Sequence, residues 1–287
     1  MIGKVKIRHL FLLAWLAALS TKAQVSSENY VQTTERISDT QVLSTTEYYD
    51  GLGRPFEMVE QKKTPDGANL IHLKEYDGLG RDWKTWLPVK DASDFLSISA
   101  ARSQGNNQYR DSHAFSLTEY DGSPLNRINT VEGVGAEWTS HPVKKDYLVN
   151  TSKYPLNCKY YRVSMQGQLQ DKGYYPEGRL YVTKTTDENG NESYEFKNIA
   201  GNVILKRTIC SIDEAADTYY IYDYRGNLAF VLPPNYQEEP SLDLYAYQYK
   251  YDGQGNCTWK KLPGCEPIYM KYDLSGRMTY LQDGNLR

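Results

Sequence analysis

An all-β protein made of antiparallel hairpins is what this sequence predicts, and three observations carry the prediction. A short phrase recurs along the chain: Tyr49-Asp50-Gly51-Leu52-Gly53-Arg54, Tyr76-Asp77-Gly78-Leu79-Gly80-Arg81, Tyr222-Asp223-Tyr224-Arg225-Gly226-Asn227, Tyr251-Asp252-Gly253-Gln254-Gly255-Asn256 and Tyr272-Asp273-Leu274-Ser275-Gly276-Arg277. Tyrosine is in excess, at 26 residues against 6 Phe and 5 Trp, and tyrosine suits strands because its ring buries while its hydroxyl stays wet or finds a partner. Tyr245, Tyr247, Tyr249 and Tyr251 alternate with Ala246, Gln248 and Lys250, a period of two that belongs to a strand and not to a helix.

Each recurrence reads as a hairpin tip. The aromatic closes an incoming strand, and the Asp carboxylate accepts a hydrogen bond from the N–H two residues on, as in an Asx-turn. Gly53, Gly80, Gly226, Gly255 and Gly276 supply a positive φ at little steric cost, and Arg or Asn opens the outgoing strand. Four residues between strands suit a loop built on a type I turn. Degenerate copies lie at 196–202, one residue longer, and at Tyr120-Asp121-Gly122.

In chain order, residues 1–23 read as a secretory signal: Lys4, Lys6 and Arg8 precede the apolar run Leu10 to Leu19, and Thr21-Lys22-Ala23 offers small residues for cleavage. Ten apolar residues are too few to cross a bilayer. Export to the periplasm, cell surface or medium follows as the expectation, with no membrane segment after cleavage. Residues 24–40 form a polar, loosely held lead-in. A β domain is expected over 41–150, with strands at 42–49, 56–61 and 70–76. One short helix near 93–104 interrupts it, marked by the spacing of Phe95, Ile98 and Ala101 behind an Asp91-Ala92-Ser93-Asp94 cluster able to cap it. A polar loop follows over 105–111.

From 151 to 287 the repeats resume. Leu228 to Leu232 is apolar on both faces and is expected to be the most buried strand. At Leu281 to Arg287 another turn begins, so this region reads as an array incomplete at its C-terminal end.

The recurring phrase resembles the YD repeats of the RHS family, large bacterial proteins whose animal relatives include the teneurins. Tyr49 to Arg54, the run Trp83-Lys84-Thr85-Trp86-Leu87-Pro88 and Ser123-Pro124-Leu125-Asn126-Arg127 further resemble the domain of unknown function that precedes RHS repeats in some Gram-negative bacteria. The resemblance implies a large curved sheet, part of an RHS-type shell that in complete members encloses a C-terminal effector. Its partners would be the remainder of the shell or that cargo. Complete members release the effector by self-cleavage near Asp-Pro motifs; this sequence contains no Asp-Pro step, so no residue here inherits that role.

Charge and motifs narrow the function further. Of 33 basic residues, four lie in the leader, leaving 29 against 36 acidic ones, a net charge of −7. Nucleic-acid binders carry a basic face, and this chain has no such footprint; mean hydropathy is −0.67. His9, His72, His113 and His141 are scattered. No His-Glu-x-x-His, Gly-x-Ser-x-Gly or Gly-x-x-x-x-Gly-Lys-Ser/Thr is present, so the expectation is a non-enzymatic protein with no metal or cofactor. Asp187-x-Asn189-x-Asn191 imitates the start of a calcium loop, but Glu192 stands where Gly is needed and Asn198 where a bidentate Glu is needed; it reads as a plain turn.

Cys158, Cys210, Cys257 and Cys265 would meet oxidising conditions after export, and the spacing allows Cys257 to pair with Cys265; all four pairing would allow three connectivities. A different class of function stays open beside the scaffold: a secreted module binding surface glycans or proteins through exposed Tyr and Trp faces, with Trp83, Trp86, Trp138 and Trp259 as its candidates.

Overall fold

The computed structural model describes residues 28–38 and 42–284; the expected leader, with His9, lies outside them. The fold is all-β and antiparallel, and the chain packs as two compact units. The first comprises the chain to Thr118 with 133–139, and the second 119–132 with residues 140 onward. The boundary expected at 150 falls inside the second unit.

In the first unit β1 (Asn29–Arg36), β2 (Val42–Tyr49), β3 (Pro55–Glu60) and β4 (Asn69–Tyr76) form a meander of successive antiparallel pairs. The outer edge of β4 is shared. Its C-terminal half pairs with β5 (Asp82–Trp86), its N-terminal half with β6 (Val89–Asp91). Asn29–Arg36 corrects the expectation of a loose lead-in: it is an exposed strand, held to β2 by its backbone ladder, by the Tyr30 ring against Tyr48 at 5.6 Å and by Gln32 Nε2 donating to Ser44 Oγ at 3.1 Å. A polar segment with nothing to bury still gains a ladder of backbone hydrogen bonds along the edge it shares with its neighbour.

The buried face of β4 alternates strictly. Asn69, Ile71, Leu73 and Glu75 point inward, with Tyr48, Val59, Trp86 and Val89 packed around them. The helix α1 (Ile98–Tyr109) lies against β4 and β6. It begins later than the expected 93–104 because Ser97, not the Asp-Ala-Ser-Asp cluster, caps it: Ser97 Oγ accepts from Ala100 N at 3.3 Å. It also runs on through Gly105, where a loop was expected. Gly105 is buried on the sheet side, and a Cβ there would sit 3.4 Å from Trp86 Cε3; the packed surface sustains the helix across a weak helix former.

Glu75 ties helix to sheet, accepting from Trp86 Nε1 at 2.6 Å and from Arg102 Nε at 2.8 Å. Ion pair and indole thus satisfy a carboxylate only 7% exposed; such a group is tolerated when its partners are kept.

After α1 come β7 (Phe115–Tyr120), which pairs with β5, then β8 (Ile128–Glu132), a 3-10 turn at Ala136–Ser140, and β9 (Val143–Val149). In the second unit β8 pairs with β9, and β9 pairs with β12 (Tyr181–Thr186). Between them β10 (Lys159–Val163) and β11 (Leu169–Tyr174) make a separate hairpin. Beyond β12 the meander continues through β13 (Glu192–Lys197), β14 (Val203–Ile209), β15 (Ala215–Tyr222), β16 (Leu228–Leu232), β17 (Tyr247–Tyr251), β18 (Cys257–Lys261), β19 (Ile268–Tyr272) and β20 (Met278–Gln282).

The core of this unit joins the hairpin to the sheet. Val182, Phe196, Leu205, Tyr219 and Leu232 are sealed beneath Cys158, Tyr161, Val163 and Leu169. Tyr161 meets Tyr219 edge to face at 5.2 Å. Arg207, 5% exposed, is bracketed by Asp217 through Nε and Nη2 and donates through Nη1 to the Pro155 and Asn157 carbonyls, so its charge is paired and each of its nitrogens has an acceptor.

The segment 228–232 buries three of its five residues. The tyrosine ladder is shorter than expected. Tyr245 ends a short helix, α3 (Leu242–Tyr245), which follows α2 (Pro234–Glu238), because Ser241 Oγ caps Leu244 N at 3.3 Å and Ala246, wholly buried, turns the chain into β17.

The four cysteines are free thiols, so the Cys257 to Cys265 pairing is not formed. Cys257 opens β18 and Cys265 lies past its other end, with about 13 Å of extended strand between them, well beyond the reach of a disulfide.

Candidate functional site

The residues singled out in the sequence converge on one local structure, the hairpin tip. At the first tip Asp50 Oδ1 accepts from Leu52 N and Arg54 N, each at 2.9 Å, and Oδ2 accepts from Arg54 Nε at 2.7 Å. On the backbone Gly53 N donates to Asp50 O at 2.9 Å and Asp50 N donates to Arg54 O at 3.0 Å. Asp50 and Arg54 are therefore still paired, and the loop proper has three residues, not the expected four. Gly53 has φ +76°, while Gly51 and Leu52 stay at negative φ. That combination is a type I turn closed by a left-handed glycine that forms a bulge.

Asp77, Asp223, Asp252 and Asp273 repeat the arrangement with Gly80, Gly226, Gly255 and Gly276 in the left-handed region. The fifth position of the tip alternates between Arg and Asn for a chemical reason: either residue can aim an N–H at the second carboxylate oxygen. Arg81 Nε and Arg277 Nε do so at 2.7 and 2.8 Å, Asn227 Nδ2 and Asn256 Nδ2 at 3.1 and 3.0 Å. These donors hold several tip carboxyls below the usual carboxylate range. The Arg54 and Arg81 amides lead at Asp50 and Asp77, the Arg277 amide at Asp273, and the Asn256 side chain at Asp252.

The aromatic position has its own role. Tyr76 OH donates to Pro55 O at 2.6 Å, Tyr222 OH to Val203 O at 3.0 Å and Tyr251 OH to Leu228 O at 2.9 Å. Pro55, Val203 and Leu228 each open the outgoing strand of the preceding tip on the same edge. The phenol thus laces one hairpin to the hairpin before it, which Phe could not do. Tyr49 instead donates to Glu47, and Tyr272 OH lies 3.9 Å from Met270 Sδ. Other contacts join neighbouring tips as well: the Arg54 guanidinium lies 4.6 Å above the Tyr76 ring, and Arg225 Nη1 donates to Asp252 O at 3.1 Å.

Further tips of the same build escaped the sequence pattern. Asp187 Oδ1 accepts from Asn189 N and Asn191 N, Oδ2 accepts from Asn191 Nδ2, and Gly190 has φ +84°, so the segment expected to be a plain turn is a full tip in which Thr186 replaces the aromatic. The degenerate copy expected at 196–202 is also a tip, with Asn198 Oδ1 in the Asp role toward Ala200 N and Asn202 N, and its loop is the same length as the others, not one residue longer, because Lys197 takes the place of the aromatic. Ser164 and Thr64 begin loops with the same backbone bonds, closed at Gly167 and Gly67. The common signal is a short polar side chain three residues before Gly; the aromatic is dispensable. At Asp121 the loop lengthens, with Asp121 N donating to Arg127 O at 2.8 Å.

The other candidates do not assemble. His72 Nε2 contacts Glu60 Oε2 at 3.2 Å, the His113 ring lies 4.0 Å from that of Phe115, and His141 sits in the second unit. Trp83 and Trp86 point to opposite faces of β5: Trp83 is 36% exposed beneath Lys84 Nζ, while Trp86 is buried. Trp138 stands over Gly133 and Gly135, and Trp259 packs beneath Lys250 Nζ at 4.6 Å. These four indoles make no shared platform within either unit.

Comparison with known proteins follows the same lines. The model of a family described as a domain of unknown function, DUF6443, matches residues 20–149. No curated protein matches the chain. Among solved structures it is similar to the crystal structure of TcdB2-TccC3, at 16% identity and a TM-score of 0.54, over 88% of this chain and 12% of that one. It is similar also to TcdB2-TccC3-Cdc42, at 14% identity and a TM-score of 0.57, over 96% of this chain and 14% of that one. A third is the Photorhabdus luminescens Tc holotoxin pore with a mutated TccC3, at 16% identity and a TM-score of 0.55, over 88% and 12%. At these identities the likeness is one of fold, and this chain spans 12 to 14% of the length of those chains.

Proposed function

We propose that this chain is a non-enzymatic structural segment of an exported RHS/YD-repeat protein, the opening stretch of a β-shell that in complete relatives surrounds an effector. The observation that carries the reading is the lacing of successive hairpins by Tyr76, Tyr222 and Tyr251. At three of the five tips the conspicuous aromatic is taken up in joining one hairpin to the one before it, and at all five the Asp carboxylate is taken up within the tip itself. The fold likeness to TcdB2-TccC3 supports the same role. In this reading the tips are repeats of the YD type, and the partners are further hairpins of the shell or the cargo they enclose.

Two measurements test it. Residues 1–23 fused to alkaline phosphatase should give periplasmic phosphatase activity; an inactive fusion removes export. Purified 24–287 should be silent on glycan and peptide arrays, whereas reproducible binding lost on Trp83→Ala or Trp138→Ala would replace the scaffold by a secreted binding module.

A further inference from the structure

Glu57 is the one large acidic side chain sealed in the first unit without a cation among the described residues. It shares the inward face of β3 with Val59, opposite Tyr48 on β2 and Leu73 on β4, and is 2% exposed. Its Oε1 accepts from Leu96 N at 2.9 Å, and its Oε2, also buried, has no hydrogen-bond partner. A buried carboxylate with one oxygen unanswered is costly to keep ionised.

Leu96 belongs to a strap, 93–97, that connects β6 to α1 and covers this face. Besides Glu57, Tyr48 OH donates to Asp94 O at 2.6 Å, Asn69 Nδ2 donates to Ser93 O at 2.9 Å and to Asp94 Oδ1 at 3.3 Å, Gln61 Nε2 reaches Asp94 Oδ1 at 3.5 Å, and Ser93 N donates to Asp91 Oδ1 at 2.7 Å. The Phe95 ring rests 4.9 Å from Tyr48 and 6.3 Å from Phe56.

The charged and titratable groups facing Glu57 offer it no relief. Tyr48 faces it from β2, with Tyr30 of β1 stacked behind at 5.6 Å. Asp94 on the strap is an acid, and Glu75 on β4 already holds Arg102 of α1. His72 and Lys74 lie on the opposite face of β4. Burial pushes the Glu57 carboxyl up to about 7, with the Leu96 N–H as the only opposing influence. The Tyr48 hydroxyl is raised to about 12, first by burial and then by the charges of Glu57 and Asp94.

We propose that Glu57 is a pH-set latch on the strap: protonated, it lets 93–97 close over the sheet, and ionised, it loosens the strap and bares the Tyr48, Phe56 and Phe95 rings. The sign follows from linkage. An open strap returns the carboxyl to its ordinary value of 4.5, so the closed state holds an extra proton between that value and about 7. Closure is fully favoured below the lower value, is lost as pH rises toward the upper one, and changes little beyond it. Within that window the opening constant rises by roughly tenfold per pH unit.

Hydrogen exchange of the full chain, corrected for the intrinsic pH dependence of exchange, tests the latch at the amides of residues 94–101. Their opening constant should rise at least tenfold from pH 5 to 7 and then level off, while amides of β13 and β14 do not follow. In Glu57→Gln, which keeps the acceptor for Leu96 N and cannot ionise, the rise should vanish. A flat wild-type profile, or a rise that persists in the glutamine variant, overturns the proposal. If that variant does not fold, carbon-13 titration of the wild-type Glu57 carboxyl decides: a midpoint above 6 supports the latch, and one near 4.5 overturns it.

Discussion

Tyr76 donates its phenolic hydrogen to the carbonyl of Pro55 across a distance of 2.6 Å, joining the end of one hairpin's strand to the start of the previous hairpin's outgoing strand. The same bond recurs from Tyr222 to Val203 and from Tyr251 to Leu228. Removing the hydroxyl while keeping the ring leaves the carbonyl short of one partner, at a cost of about 0.5–1.5 kcal/mol. Tyr76→Phe, Tyr222→Phe and Tyr251→Phe should each lower the urea midpoint accordingly. Tyr272→Phe, where only a sulfur lies within reach, should change it least; an equal loss there would mean the backbone bond is not what the tyrosines contribute.

Gly78 and Gly80 stand two residues apart in one tip and should respond differently to alanine. Gly80 has φ +82°, and a Cβ there would fall 2.6 Å from Arg54 Nη1, whereas a Cβ at Gly78 meets nothing. The left-handed conformation costs a non-glycine residue about 1–2 kcal/mol, so Gly80→Ala should lose about that much in chemical denaturation and Gly78→Ala next to nothing. Equal losses at the two positions would contradict the tip geometry.

The tip carboxyls set an acid limit on stability. At Asp50, Asp77, Asp252 and Asp273 the native carboxyl is held below its ordinary value by bonds to Arg or Asn. A depressed acid stabilises the fold above its unfolded pKa, near 3.9, and that contribution fades as pH falls through the lower native value. Melting temperature should therefore drop steeply below about pH 4, and Asp77→Asn should flatten part of that drop while lowering stability at pH 7. An unchanged acid slope in the variant would remove the tips as its cause.

Gly105 offers a gain. It lies inside α1, and an added Cβ would make an ordinary contact with Trp86 and Val89. Gly105→Ala should raise stability by about 0.5–1 kcal/mol, the helix-propensity difference, measured by thermal or urea unfolding. A loss instead would show that the helix cannot move even slightly off the Trp86 ring.

What could be read in advance was what short segments decide for themselves. Asp at one position and Gly three residues later specify the tip through bonds spanning five residues, so Asp50 to Arg54 and its relatives were legible. Requiring an aromatic in front hid the tips at Asp187 and Ser164, because the turn chemistry is indifferent to that residue. The sequence pattern starts the helix five residues early: Phe95 fits a helical stripe but belongs to the strap, where its ring packs against Tyr48, a contact no local pattern encodes.

Taken alone, then, the amino-acid order determined the antiparallel all-β class, the position of the tips and the identity of their carboxylate acceptors, since each rests on interactions among near neighbours in the chain. Only the tertiary structure decided which tips share an edge, why the aromatic at Tyr76, Tyr222 and Tyr251 is Tyr, that Arg54 crosses to the next hairpin, and that Glu57 is sealed without a cation among the described residues. Those depend on strand pairing and layer packing, which bring together residues such as Glu57 and Leu96 that lie 39 positions apart.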